Sequence, residues 1–258
     1  MKKSLLFIIL LTSCISPGIE EIEFLSGNKI QYLPFATKQS QSFLAELKKL
    51  DYKPESYIAS FKMQIQSFHP EKRNFNAKGK VFFQKETGKI KIQLMDSFFG
   101  MIFSQIISDS KSMELKTAGQ DKTQKMPMGD IQILDPKSGK LIVIPFQVIY
   151  EFLSLGHLNL LTDKNNFFSH EEKRILSVFP DKKLIYQFDK TGLLSVELQS
   201  ISRNVRAIAR VSRSGIYPPE NIITRVTGYS DKTEKDLVSI TVTNVKKTAR
   251  IEENTFRF

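Results

Sequence analysis

The chain has one cysteine, no tryptophan and only three histidines among its 258 residues. A single cysteine excludes an internal disulfide, so no covalent staple holds the fold. His69, His157 and His170 have no second His, Cys or carboxylate at a ligand spacing, which gives no basis for a metal site. No nucleophile elbow, P-loop or dinucleotide-binding fingerprint occurs. The carboxylate pairs Glu20-Glu21, Glu171-Glu172 and Glu252-Glu253 fall in loops or near the ends and read as solvated charge. No catalytic residue, metal or cofactor is therefore expected. Acid is also in short supply: 27 acidic residues face 38 basic ones, a net charge of +11. Long apolar runs are missing too. The stretch Leu5–Leu11 is far short of the roughly 20 residues that a membrane-spanning helix needs.

That short run follows Lys2 and Lys3 and precedes Thr12, Ser13 and Cys14, the lone cysteine. A charged start, a short apolar stretch and small residues at the cut mark an export signal. With its cysteine, Leu11-Thr12-Ser13-Cys14 resembles the lipobox of bacterial lipoprotein signals. The resemblance implies removal of residues 1–13 and acylation of Cys14. More than one acyl chain, at about 0.8 kcal/mol per buried CH₂, would hold the product on a membrane. An ordinary secretory signal cut elsewhere is the alternative. The mature chain would have 258 − 13 = 245 residues, and its charge would be +9 after loss of Lys2 and Lys3. That length suffices for one large domain or two small ones. The remaining lysines are spread over strands and turns. They read as a solvated outer face that also favours anionic head groups, at about 1 kcal/mol each near the surface. An exported protein does not meet nucleic acid.

Residues 14–37 lack a sustained period and read as a lipidated N-terminus and tether, with one domain over 38–258. Ser40 can cap a helix whose apolar face is Phe43, Leu44, Leu47 and Leu50, stopped by Pro54. The pattern then becomes period two. Tyr57, Ala59, Phe61, Met63 and Ile65 share one face of a strand, and Ile90, Ile92 and Leu94 share one face of another. Further strands cover 75–84, 101–108 and 113–118, and a polar segment at 119–125 interrupts them. Two short strands flank the turn Asp135-Pro136-Lys137-Ser138-Gly139. Pro145 opens a helix with the stripe Phe146, Ile149, Phe152 and Leu153, and Gly156 suits its end. Residues 157–170 read as a polar loop, and hairpins fill the rest. One-sided antiparallel strands must bury their apolar faces together. The expected fold is therefore α+β: a single curved antiparallel sheet forming an unclosed β-barrel with helices against its concave side. A two-sheet sandwich is the alternative.

Phenylalanine is abundant, at 20 residues. Most of it is core. The pair Phe98-Phe99 differs, because it falls in the short connection Asp96-Ser97-Phe98-Phe99-Gly100 between two strands. Adjacent strand residues point to opposite faces, so one core does not easily take both. Exposed at a hairpin tip, they would touch a membrane or a lipid-bearing partner.

Two stretches resemble the bacterial outer-membrane lipoprotein-localisation proteins, the LolA/LolB-like family, and its membrane-anchored receptor more than its soluble carrier. One is Lys89-Ile90-Lys91-Ile92-Gln93-Leu94-Met95-Asp96-Ser97-Phe98-Phe99-Gly100. The other is Ile144-Pro145-Phe146-Gln147-Val148-Ile149-Tyr150-Glu151-Phe152-Leu153-Ser154-Leu155-Gly156. The resemblance implies an open barrel with a helical lid over an apolar cavity that receives acyl chains. Phe61, Met63, Ile92, Leu94, Phe146, Ile149, Phe152 and Leu153 are the candidate lining. Phe99 takes the place of the receptor's exposed leucine; Phe98 stands where the family has proline. The implied protein is a monomer, lipid-anchored on the periplasmic face of the outer membrane. Its partners would be lipid acyl chains, lipoprotein cargo and a soluble periplasmic carrier. A structural or surface-displayed lipoprotein with a solid β core and a protein-binding role is the competing reading.

Overall fold

The structure is a computed structural model that describes residues 22–25, 30–50, 55–68, 72–109, 111–119, 122–134 and 141–258. Cys14, His69 and Pro54 lie outside the described residues. Strand β1 (Leu33–Pro34) and helix α1 (Lys38–Lys48) lead into a first meander. It consists of β2 (Ser56–Ser67), β3 (Arg73–Gln84), β4 (Lys89–Asp96), β5 (Ile102–Ser108), β6 (Ser112–Thr117) and β7 (Gln124–Pro127). The hairpin of β8 (Ile131–Leu134) and β9 (Leu141–Ile144) follows, then helix α2 (Phe146–Ser154). A second meander comprises β10 (Phe167–Ser169), β11 (Arg174–Val178), β12 (Lys183–Phe188), β13 (Leu193–Ser200), β14 (Val205–Val211), β15 (Asn221–Thr227) and β16 (Glu234–Thr248).

Both meanders belong to one antiparallel sheet of 14 strands, and β8 and β9 pair only with each other. The joint is β16 on β2, running from Asp236 opposite Ser67 to Thr248 opposite Ser56, with an irregularity between Thr243 and Lys246. The end strands are β1 and β7, which do not meet, so the sheet is unclosed. A two-sheet sandwich is thereby excluded. Helix α2 lies against β13 and β14, while its Phe146, Ile149 and Leu153 face residues of β2 to β5 and β16. The sheet thus wraps α2 from both meanders. All residues from Phe146 to Leu153 are buried, as expected of a helix covered around its whole circumference.

Period-two patterning set the inner face as expected: Tyr57, Ala59, Phe61, Met63 and Ile65 all join the main core. Four segments differ from the sequence reading. The first helix is capped by Thr37, whose hydroxyl accepts the Ser40 N–H at 3.2 Å, because Thr37 is extended and Ser40 is already inside the helix. The segment read as a polar loop holds a 3-10 turn (Gly156–Leu161) and β10, and the polar interruption ends in β7.

The fourth difference concerns the stretch read as a tether. Residues 22–25 cross the outer face of the sheet, where Ile22 and Leu25 pack on Ile185 and Ile208. The Leu25 N–H donates to Glu197 Oε2 at 2.5 Å, and Arg174 Nη1 donates to the Leu25 carbonyl at 2.7 Å. Arg225 Nη1 donates to the Ile22 carbonyl at 3.1 Å. The Phe24 ring lies 4.0 Å from the Arg206 guanidinium and 5.3 Å from that of Arg225. Buried charge on an outer strand face is costly unless paired; here Glu197 is paired by Arg206 at 2.9 Å and by the crossing main chain.

Candidate functional site

Seven of the eight candidate lining residues meet in one place. Phe61, Met63, Ile92, Leu94, Phe146, Ile149 and Leu153 border a crevice between the inner sheet face and α2. Its volume is about 30 Å³. That is room for about one water, whereas pockets for drug-sized ligands run about 300–1,000 Å³. The expected cavity is therefore close to filled. Phe152 does not join this crevice. Successive helix residues turn by about 100°, which carries Phe152 off the Phe146–Ile149–Leu153 stripe. It borders a second cavity of about 180 Å³ with Leu155, His157, Leu193, Val211 and Tyr217. The crevice also draws on Ile131 of β8 and Ile144 of β9, which sequence reasoning missed. Their apolar positions beside a strong turn were visible, but not the folding of that hairpin over the sheet.

Gly79, directly opposite Phe61, is explained by close approach. A Cβ there would run into the Phe61 ring and the Gln93 carbonyl oxygen. The missing side chain lets the ring lie flat against the strand next door.

Helix α2 is pinned at several points. Gln147 accepts from Lys182 Nζ at 3.0 Å, and the Tyr150 hydroxyl donates to the Gly88 carbonyl at 3.1 Å. The Tyr57 and Tyr217 hydroxyls both donate to the Leu153 carbonyl, at 2.8 and 2.7 Å. That carbonyl is among those a helix end leaves unsatisfied. The chain then turns through Leu155 at φ 52°. The helix and the 3-10 turn after it each bury a titratable group, six residues apart. Glu151 hydrogen-bonds Tyr186, and burial pushes its carboxyl up to about 7. His157 is fully buried beside Phe188, and burial pushes its ring down to about 4. The sequence reading placed His157 in a loop. His170 bonds Glu46 Oε1 at 2.8 Å instead of marking a site.

The Phe98-Phe99 tip is where the alternation argument put it: the two rings are 88% and 85% exposed. What the sequence reading did not single out is Asp96. Its Oδ1 accepts the N–H groups of Phe98 at 3.0 Å and Phe99 at 2.6 Å, and its Oδ2 accepts that of Met101 at 2.8 Å. These bonds, that of Phe99 foremost, hold the carboxyl below its ordinary range. Gly100, at φ +71°, closes the turn. Two exposed rings thus project from a main chain fixed by its own carboxylate.

Among the described residues no group of three or more His, Cys, Asp or Glu is placed to hold a metal ion, and no helix is long and apolar enough to cross a membrane.

The fold and this geometry define a class: an unclosed antiparallel half-barrel wrapped around one buried helix, with a narrow apolar crevice between them. No protein-family model and no curated protein matches the chain. Among solved structures it is similar to an outer membrane lipoprotein-sorting protein domain from Vibrio parahaemolyticus, at 12% identity over 83% of this chain and 94% of that one, with a TM-score of 0.47. It is also similar to a LolA superfamily protein from Nitrosomonas europaea, at 9% identity over 84% and 97% with a TM-score of 0.44. A DUF1329 family protein from Desulfovibrio piger is similar at 10% identity over 84% and 95%, with a TM-score of 0.43.

Proposed function

We propose that this chain is a LolB-like outer-membrane lipoprotein, anchored through Cys14 on the periplasmic face, that binds acyl chains of lipoproteins or lipids and helps place them in the membrane. The observation that carries the reading is the crevice bordered only by apolar side chains of the sheet and of α2. Such a wall holds hydrocarbon through non-directional burial, at about 25 cal/mol per Å². At about 30 Å³ it is a closed state. Entry of a chain requires α2, with the β8–β9 hairpin, to swing as a lid, and the contacts at Leu153, Tyr150 and Gln147 are those that break. The Phe98-Phe99 tip is the part that meets the bilayer, and Asp96 positions it. Two aromatic rings entering the acyl region gain about 1.5–3 kcal/mol each.

The test is uptake of a fluorescent C16 fatty-acyl probe by the full-length chain, followed by transfer of that probe to vesicles. Saturable uptake is expected. Phe99→Glu is expected to keep both the fold and the uptake and to slow transfer. A native chain that takes up no probe sinks the proposal.

The near-filled crevice favours a second reading, a structural or surface-displayed lipoprotein whose β core is solid and whose surface binds protein. It predicts no uptake at all, and protease shaving of intact cells would reveal the face it occupies.

A further inference from the structure

The strand registers bring Phe68, Lys72 and the hairpin turns 97–101, 179–182, 201–204 and 228–233 to the same end of the sheet. Neighbouring turns are stitched together. Ser200 Oγ donates to the Asp181 carbonyl at 3.3 Å, the Ser230 N–H to Asn204 Oδ1 at 2.9 Å, and the Phe68 N–H to the Lys235 carbonyl at 2.9 Å. On this rim lie not only Phe98 and Phe99 but a separate set of exposed apolar side chains: Val178 at 49%, Phe179 at 41% and Ile201 at 67%. A hairpin tip that exposes Ile or Phe to water gains nothing in the fold by doing so. Cations outnumber anions in these turns. Among the described residues of these turns, Lys72, Arg203 and Lys232 stand against Asp181 and Asp231, while Lys182 turns its ammonium inward to Gln147. Lys72 and Lys182 each sit over a ring of the rim, at 5.7 Å from Phe68 and 5.6 Å from Phe179. Apolar tips interleaved with cations match a bilayer interface, where rings enter the acyl boundary and cations meet phosphate.

The crossing segment is compatible with this placement. The crossing segment 22–25 contacts the outer face at Arg225, Ile208, Glu197 and Ile185, only two or three residues in from the rim. Cys14 is eight residue steps from Ile22, a reach of at most about 29 Å. A tether of that reach leaves the rim within range of a membrane that holds Cys14.

We infer that this rim is a docking surface for an anionic phospholipid bilayer, with the Val178-Phe179 and Ile201 turns as a second apolar foot beside the Phe98-Phe99 tip. The inference goes beyond acyl binding and does not require it: a chain that takes up no acyl probe still docks this way.

The absence of tryptophan supplies the experiment. Phe179→Trp, Ile201→Trp and Val245→Trp each put one reporter into the full-length chain. Val245 is exposed on β16 toward the opposite end. With vesicles of phosphatidylethanolamine and phosphatidylglycerol, emission at 179 and 201 is expected to shift to the blue and to be quenched by brominated acyl chains, while 245 stays unchanged. Adding Lys72→Gln and Lys232→Gln to the Ile201→Trp chain is expected to weaken vesicle binding about thirtyfold, from about fivefold per cation. No response at 179 and 201, an equal response at 245, an equal response with pure phosphatidylcholine, or unchanged binding by the lysine double variant each overturns the inference.

Discussion

Glu151 and His157 make a pair of opposed titrations that one variant each would unmask. The unfolded carboxyl ionises near 4.5 and the folded one at about 7. A group raised on folding lends stability that is full below pH 4.5 and is lost as pH climbs through 7. The imidazole does the reverse, from 6.5 unfolded to about 4 folded. Its contribution is full above pH 6.5 and is lost as pH falls through 4. Each slope is about 1.4 kcal/mol per pH unit, and their signs are opposite. From pH 4.5 to 6.5 the native chain therefore shows no net slope from this pair. Glu151→Gln leaves His157 alone, so stability relative to the native chain should rise by about 3 kcal/mol between pH 4.5 and 7. His157→Gln leaves Glu151 alone, so relative stability should fall by about the same amount between pH 4 and 6.5. Taking differences from the native chain removes the exposed carboxylates, which titrate alike in all three. The assay is urea unfolding at half-unit pH intervals, read as midpoints at constant m. Any constant offset from the altered Tyr186 contact leaves the slopes intact. Variants whose curves run parallel to the native one would refute the burial argument, because both slopes stem from desolvation.

Two further predictions follow from packing and pairing. Gly79→Ala should destabilise the fold by about 1–3 kcal/mol, since the added methyl overpacks the Phe61 ring and the Gln93 carbonyl; thermal unfolding of the variant checks it, and an unchanged midpoint would contradict the close approach. Glu197→Gln should cost about 1.5–3 kcal/mol, because the Leu25 N–H and Arg206 lose their anionic partner. Limited proteolysis should then cut the chain upstream of α1 faster than in the native protein.

Much of the architecture was legible because burial imposes a period. Strands such as Ser56–Ser67 and Lys89–Asp96 alternate cleanly, and the helix after Pro145 shows its stripe. The exposed tip was legible because two adjacent aromatics defeat alternation. Strand order was not legible: β16 lying on β2 is a contact across most of the chain, and no local pattern encodes it. Nor was the crossing segment 22–25. Four residues with charge on either side offer no period, and the partners that fix them, Arg174, Glu197, Arg206 and Arg225, look like ordinary outward-facing strand charges. His157 was misjudged, and Glu151 passed over, for the same reason. A polar residue in a pattern signals surface until the surrounding chain is seen to close over it. Phe152 parts from its stripe by geometry alone, one step round the helix, and borders the second cavity instead.

An unclosed sheet has two free edges, and here both are blunt. The strand at one edge, Leu33–Pro34, is two residues long, and the strand at the other, Gln124–Pro127, is four. Both end in proline, which has no N–H to offer a newcomer, and the second carries Lys125. The gap in the wall therefore presents little template for strand addition. For the surface-anchored protein proposed above, whose copies would meet often and in similar orientations, that matters more than in solution: the opening that would admit a lipid offers a neighbour little backbone to pair with.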